Sequence, residues 1–177
     1  LFQVMMGTES INSEKLKRLR KPANLDTQIK AMDIIKKSGA LLMTMMMWGD
    51  WNDNTRSLVE AWKFYRKYAD TYALTAMTPF PGTDYHKEAE KKGIIADKDY
   101  SNFTMVNVVM PTKHLSYKEA RKVYNRGLGR IYIHWKILRD AIFASNPFAR
   151  YQQRIYVKLA FSNLLGRKWN QKNYMPF

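Results

Sequence analysis

Cysteine is absent from the 177 residues. That absence excludes disulfides, a thiolate nucleophile and cysteine-held zinc or iron–sulfur clusters within this chain. Long apolar runs are also missing: no window reaches the roughly 18 residues that a membrane span needs. A cytoplasmic location, soluble or peripheral to a membrane, is therefore expected. Acid is scarce, with 15 Asp and Glu against 30 Lys and Arg and a formal charge of +15. The imbalance is local. Lys/Arg against Asp/Glu stand at 15 to 11 in residues 1–95 and at 15 to 4 in 96–177. Such a surplus suits an anionic membrane surface, an acidic substrate, nucleic acid or mere solubility. No recognised nucleic-acid motif accompanies it, so nucleic acid is not an expected partner. The chain opens at Leu1 inside an apolar run, with neither a start methionine nor a leader pattern, which predicts a piece of a longer polypeptide.

What is present is enough apolar material, 46% of the residues, for one sizeable core. Three short runs rich in apolar or β-compatible residues stop at Gly or Pro, as buried parallel strands do: 1–6, 40–48 and 71–77. Helical periodicity fills the gaps. A short basic helix around 13–20 ends before Pro22, and a longer one runs from an Asn24 N-cap to Gly39. A third is capped by Asp53 or Asn54 and presents Leu58, Ala61, Trp62, Tyr65, Tyr68 and Ala69 on one stripe. Strand spacings of 30–40 residues with a helix in each gap predict βαβ crossovers in a parallel sheet, for which both a barrel and a Rossmann-like sheet are open readings. Beyond Gly82 a charged helix covers 84–92. Ser116 and Glu119 then form a capping box that opens a long helix. Its apolar positions Val123, Tyr124, Ile131, Trp135, Leu138 and Ile142 share one face, Gly127 and Gly129 mark a bend or break near the middle, and Asn146-Pro147 ends it. A basic, aromatic helix of about 148–165 follows.

Candidate chemistry sits where the strands end. In Gly7-Thr8-Glu9-Ser10, a small residue admits a ligand to the backbone, and Glu9 can accept hydrogen bonds from an ammonium group or ribose hydroxyls. On these four residues alone, a turn with a solvated acid is the simpler account. Trp48-Gly49-Asp50-Trp51-Asn52-Asp53-Asn54-Thr55 ends the second run, and Met43, Met45, Met46 and Met47 within it most simply fill core. The third run ends in Thr78-Pro79-Phe80-Pro81-Gly82-Thr83, where two prolines stiffen the exit. His86 and His134 lie on helices without metal-ligand spacing, and no metal site is expected.

Gly7-Thr8-Glu9-Ser10, followed by Leu16, Leu19 and Lys21, resembles the Gly-Ile-Glu-Ser strand exit of the radical S-adenosylmethionine superfamily. The 78–83 segment resembles the Thr/Tyr-Pro-Phe/Tyr-Pro-Gly-Thr exit of the sixth strand in its cobalamin-binding branch. The second exit departs from the family's Gly-x-Pro-x-Glu-Thr, with Trp51 in place of Pro and Asn54 in place of Glu. Val108-Val109-Met110-Pro111-Thr112-Lys113-His114-Leu115-Ser116 is similar to the segment after the barrel in the anaerobic magnesium-protoporphyrin monomethyl ester oxidative cyclase group.

This resemblance implies an α/β fold: the C-terminal half of a partial (β/α)6 TIM-like barrel over 1–95, three parallel strands with crossover helices, then a basic, mainly helical extension over 96–177. It implies cofactor contact through Gly7, Glu9, Ser10, Thr44, Met46, Thr78 and Pro79, and substrate contact through Phe80, Thr83 and His114. The implied cofactors are S-adenosylmethionine, with a 4Fe–4S cluster and cobalamin held by an upstream half that is the chain's natural partner. The substrate would be a small molecule such as a porphyrin, and this piece alone would be inert. A radical methyltransferase of the same branch is the nearest alternative. A different class also stays open, a non-catalytic module whose basic 148–168 segment binds a membrane surface or nucleic acid.

Overall fold

A computed structural model describes residues 3–22, 24–132, 135–144 and 146–164. By packing, the chain forms two compact units, Leu1–Gly127 and Leu128–Phe177.

The first unit is built on a three-stranded sheet in the order β1-β2-β3, with β1 spanning Gln3–Glu9, β2 Leu41–Trp48 and β3 Thr71–Ala76. All pairing is parallel, with Gln3 opposite Leu41 and Met43 opposite Thr71. Helices α1 (Ser13–Arg18), α2 (Leu25–Lys37) and α3 (Thr55–Tyr65) occupy the connections. The expected helix starts are realised: Asn24 accepts from Thr27 N at 2.9 Å, and Asn54, rather than Asp53, caps α3 in a reciprocal box with Ser57. After β3 come α4 (Asp84–Lys91), a single 3₁₀ turn at Tyr100–Asn102 and α5 (Tyr117–Tyr132), whose first turn is tied by Ser116 and Glu119.

β1 differs from expectation. It runs on through Gly7-Thr8-Glu9 instead of stopping at Met6, because Thr8 Oγ1 donates to Met45 O at 2.8 Å and Glu9 pairs with Met46 past a bulge. Residues 1 and 2 lie outside the described residues.

Successive strand residues point to opposite faces. Leu42, Thr44, Met46 and Trp48 are buried, and so are their β3 neighbours Tyr72, Leu74 and Ala76. Buried Met32 of α2 and buried Leu58 and Tyr65 of α3 supply the cover for this face. Met43, Met45 and Met47 on the other face are half-buried, and Met5 is 62% exposed.

The two edges of the sheet also differ. Among the described residues β1 pairs with β2 alone. Beside β3, Ala76 N donates to Met105 O at 2.6 Å, Thr78 Oγ1 to Thr104 O at 2.9 Å, and Tyr124 Oη to Leu74 O at 2.9 Å. Tyr124 also stacks on Trp48, with ring centroids 6.3 Å apart. Tyr124→Phe keeps the ring but leaves the Leu74 carbonyl without this buried donor. A loss of about 1–3 kcal/mol is expected in urea unfolding.

In the second unit, α6 (Trp135–Phe143) packs on α7 (Pro147–Leu164). The apolar positions expected to share one face over 116–146 differ in their burial. Tyr124 and Ile131 are buried, but Trp135, Leu138 and Ile142 are exposed, and Ile137 and Ala141 take the buried positions of α6. Residues 133 and 134, between α5 and α6, lie outside the described residues, as does His134.

Candidate functional site at the strand C-termini

Glu9 holds the left-handed conformation at φ 58°, which is uncommon for a non-glycine residue and marks a locally over-determined backbone. The bulge and this φ fold its side chain back over Gly7. A β-carbon placed on Gly7 would stand 2.8 Å from Glu9 Oε1 and 3.4 Å from Lys21 Nζ. A side chain here would therefore have to displace the carboxylate that fills this space. Lys21 Nζ lies 3.1 Å from Glu9 Oε1, and both side chains keep some solvent access. Gly7 pairs with Met45, so this carboxylate lies on the less covered face of the sheet, the side of Met43, Met45 and Met47.

Beneath it sits a buried polar frame that sequence reading missed. Lys15 of α1, 3% exposed, donates from Nζ to Asp53 Oδ2 at 2.6 Å and to Met47 O at 2.7 Å. The same Asp53 oxygen accepts from Gly49 N at 2.9 Å and Asp50 N at 3.0 Å, while Ser57 Oγ stands 3.2 Å from Oδ1. Arg18 pairs with Asp50 in the same turn. Asp53 thus fixes the β2–α3 turn and anchors α1 to it. Tyr85 of α4 is half-buried near these acids, and its hydroxyl pKa is driven up by desolvation first and by the charges of Asp50 and Asp53 next. The phenol is neutral throughout the physiological range.

Two clefts open here. One, of about 380 Å³, is bordered by Glu9, Ser10, Lys15, Met46, Asp53 and Arg56. The other, of about 470 Å³, is bordered by Arg18, Asp50, Trp51, Met77, Tyr85 and Lys92. Glu9, Ser10 and Met46 of the expected set thus border one cleft, together with Leu58, Ala61 and Leu74 of the helix-covered side.

The remaining expected residues are placed otherwise. Thr44 is fully buried on the helix-covered face, opposite the Gly7 side, because its parity in β2 is that of Leu42 and Trp48. Ser10 Oγ accepts from Asn12 N at 3.0 Å and closes the turn into α1. Thr78 ties the 104 segment to β3, and Pro79 is buried. Thr83 is the N-cap of α4, accepting from His86 N at 3.2 Å, and Phe80 is partly exposed beside it. His114 is exposed on a loop whose Lys113 N donates to Trp51 O at 2.7 Å, which brings that loop to the β2–α3 turn. Among the described residues no cluster of His, Asp or Glu could hold a metal ion.

Comparison with known proteins gives two distant relatives, both enzymes. The chain is 28% identical over 155 residues to the anaerobic magnesium-protoporphyrin IX monomethyl ester cyclase of Rubrivivax gelatinosus, covering 87% of this chain and 26% of that protein. It is 23% identical over 112 residues to the hopanoid C-3 methylase of Methylococcus capsulatus, covering 62% of this chain and 21% of that protein. No family model matches. The chain thus spans about a quarter or less of the length of these relatives.

Proposed function

We propose that this chain is the C-terminal part of a radical S-adenosylmethionine enzyme of the cobalamin-binding branch, contributing three strands of a six-stranded barrel. The observation that carries the reading is the Glu9 carboxylate folded over Gly7 at the end of a parallel strand. It joins a left-handed acid, a glycine that leaves it room and a lysine that holds it, and its sequence pattern is that of the family. The distant likeness to a cyclase and a methylase supports the same branch.

The donor set here fits the cofactor's polar groups and not an iron–sulfur cluster. Glu9 would accept hydrogen bonds from the ammonium group or ribose hydroxyls, with Lys21 orienting it and Gly7 leaving the approach open. Met45 and Met47 would line the apolar wall. S-adenosylmethionine, when bound, supplies radical chemistry that the protein positions. Without cysteine this chain offers no thiolates for a cluster. Cluster and cobalamin would belong to the upstream half, whose strands would pair with the free edge of β1.

Of the two reactions, oxidative cyclisation of a porphyrin ester is the first reading, since the cyclase match covers more of the chain. Methyl transfer is the second, resting on the methylase match. Product mass separates them, because only the second adds a carbon. The cofactor reading is tested in the full-length enzyme by Glu9→Gln, which removes the charge and keeps the shape. Loss of one charge-assisted hydrogen bond should weaken S-adenosylmethionine binding about tenfold or more in calorimetry. Undiminished affinity in a folded variant overturns the assignment.

A further inference from the structure

The second unit carries a surface that the proposed chemistry leaves unused. Trp135, Leu138 and Ile142 recur at i, i+3 and i+7 on α6 and are 63%, 48% and 61% exposed. Phe143 beside them is 75% exposed. Each helix has its apolar contact met elsewhere: Ile137 and Ala141 of α6 and Ala149 and Gln153 of α7 are the buried positions of this packed pair. The outward arc of α6 is therefore surplus to the packing of the hairpin. On α7, Phe148 and Tyr151 are exposed as well, and Arg150, Arg154 and Lys158 follow at helical spacing.

Charge is one-sided. Residues 135–158 hold Lys136, Arg139, Arg150, Arg154 and Lys158 against Asp140 alone. Arg139 lies over the Trp135 ring at 5.1 Å, so a cation stands at the border of the apolar arc. No helix among the described residues is long and apolar enough to cross a membrane. A solvent-facing apolar stripe rich in aromatic side chains, fringed by arginine and too short to span, is the pattern of a helix that lies in the headgroup boundary of a bilayer. Net positive charge selects an anionic leaflet.

We propose that the α6–α7 hairpin is a docking surface for an anionic lipid bilayer, with Trp135, Leu138, Ile142 and Phe143 inserted at the headgroup level and Arg150 and Lys158 meeting the lipid phosphates. This inference is independent of the cofactor reading. A protein seated this way meets apolar substrates at the surface where they reside.

The test is co-sedimentation of the 177-residue chain with phosphatidylcholine vesicles, with and without 30% phosphatidylglycerol. Binding to the anionic vesicles is expected, with little to the neutral ones and a steep fall as salt is raised. Ile142→Ser and Phe143→Ser, both at exposed positions with no packing to lose, should each weaken binding about tenfold with an unchanged melting temperature. Arg150→Gln together with Lys158→Gln should weaken it about twentyfold, roughly fivefold per charge. Failure to bind anionic vesicles overturns the proposal, and so does binding that Ile142→Ser leaves intact. A dimer in analytical ultracentrifugation that Ile142→Ser dissociates also overturns it, since a second copy would then cover the stripe.

Discussion

Asp53→Ala should be among the most destabilising single substitutions in the first unit, lowering unfolding free energy by about 3–5 kcal/mol. The reason is what it leaves behind. Lys15 Nζ keeps Met47 O but loses its carboxylate partner at a site 3% exposed to water. Gly49 N and Asp50 N lose the same acceptor. Removing one partner of a buried pair costs more than the pair contributes net, because the remaining charge is neither solvated nor compensated. Lys15→Met with Asp53→Leu tests the mechanism, since replacing both partners by apolar groups should recover much of the loss. Thermal unfolding reads both, with a fall of about 10 °C for the single change and a smaller one for the double. An Asp53→Ala protein that melts within 2 °C of the parent would show that this frame is not what holds α1 to the β2–α3 turn.

Gly7→Ala should leave the fold standing and remove the proposed cofactor contact. Gly7 has ordinary backbone geometry, so alanine is tolerated locally and even favoured in a strand. Its methyl group would nonetheless occupy the point 2.8 Å from Glu9 Oε1, and the carboxylate must swing away from Lys21. A displacement of about 1 Å at a positioning group costs on the order of a hundredfold. In the full-length enzyme, S-adenosylmethionine turnover should fall by that order while melting changes little. Full turnover by Gly7→Ala would mean that the acid acts from another position. Paired with Glu9→Gln, the outcome separates a wrong site, where neither variant matters, from a wrong geometry, where only the charge matters.

The strands were legible because three apolar runs stop at Gly or Pro, and the helix starts at Asn24, Asn54 and Ser116 were legible because caps are local chemistry. The facing of β2 was not. Its residues Leu41–Trp48 are almost all apolar, so no alternation tells which parity meets the helices, and only the structure gives Thr44 the buried parity of Leu42 and Trp48. The end of β1 was misplaced because Gly7-Thr8-Glu9 has the composition of a turn, while a tertiary bond from Thr8 to Met45 keeps it in the sheet. Lys15 and Asp53 are 38 residues apart, and no local pattern announces their pairing. Periodicity grouped Trp135, Leu138 and Ile142 on one face, but it does not reveal what lies against that face, and all three are exposed.

The unequal edges of the sheet set a direction of growth. Where β3 carries Leu74 and Ala76, its outward hydrogen-bonding groups are already taken by Tyr124 and Met105, so a new strand finds its template on β1. In the intact enzyme proposed above, the barrel would therefore be extended from the β1 side alone.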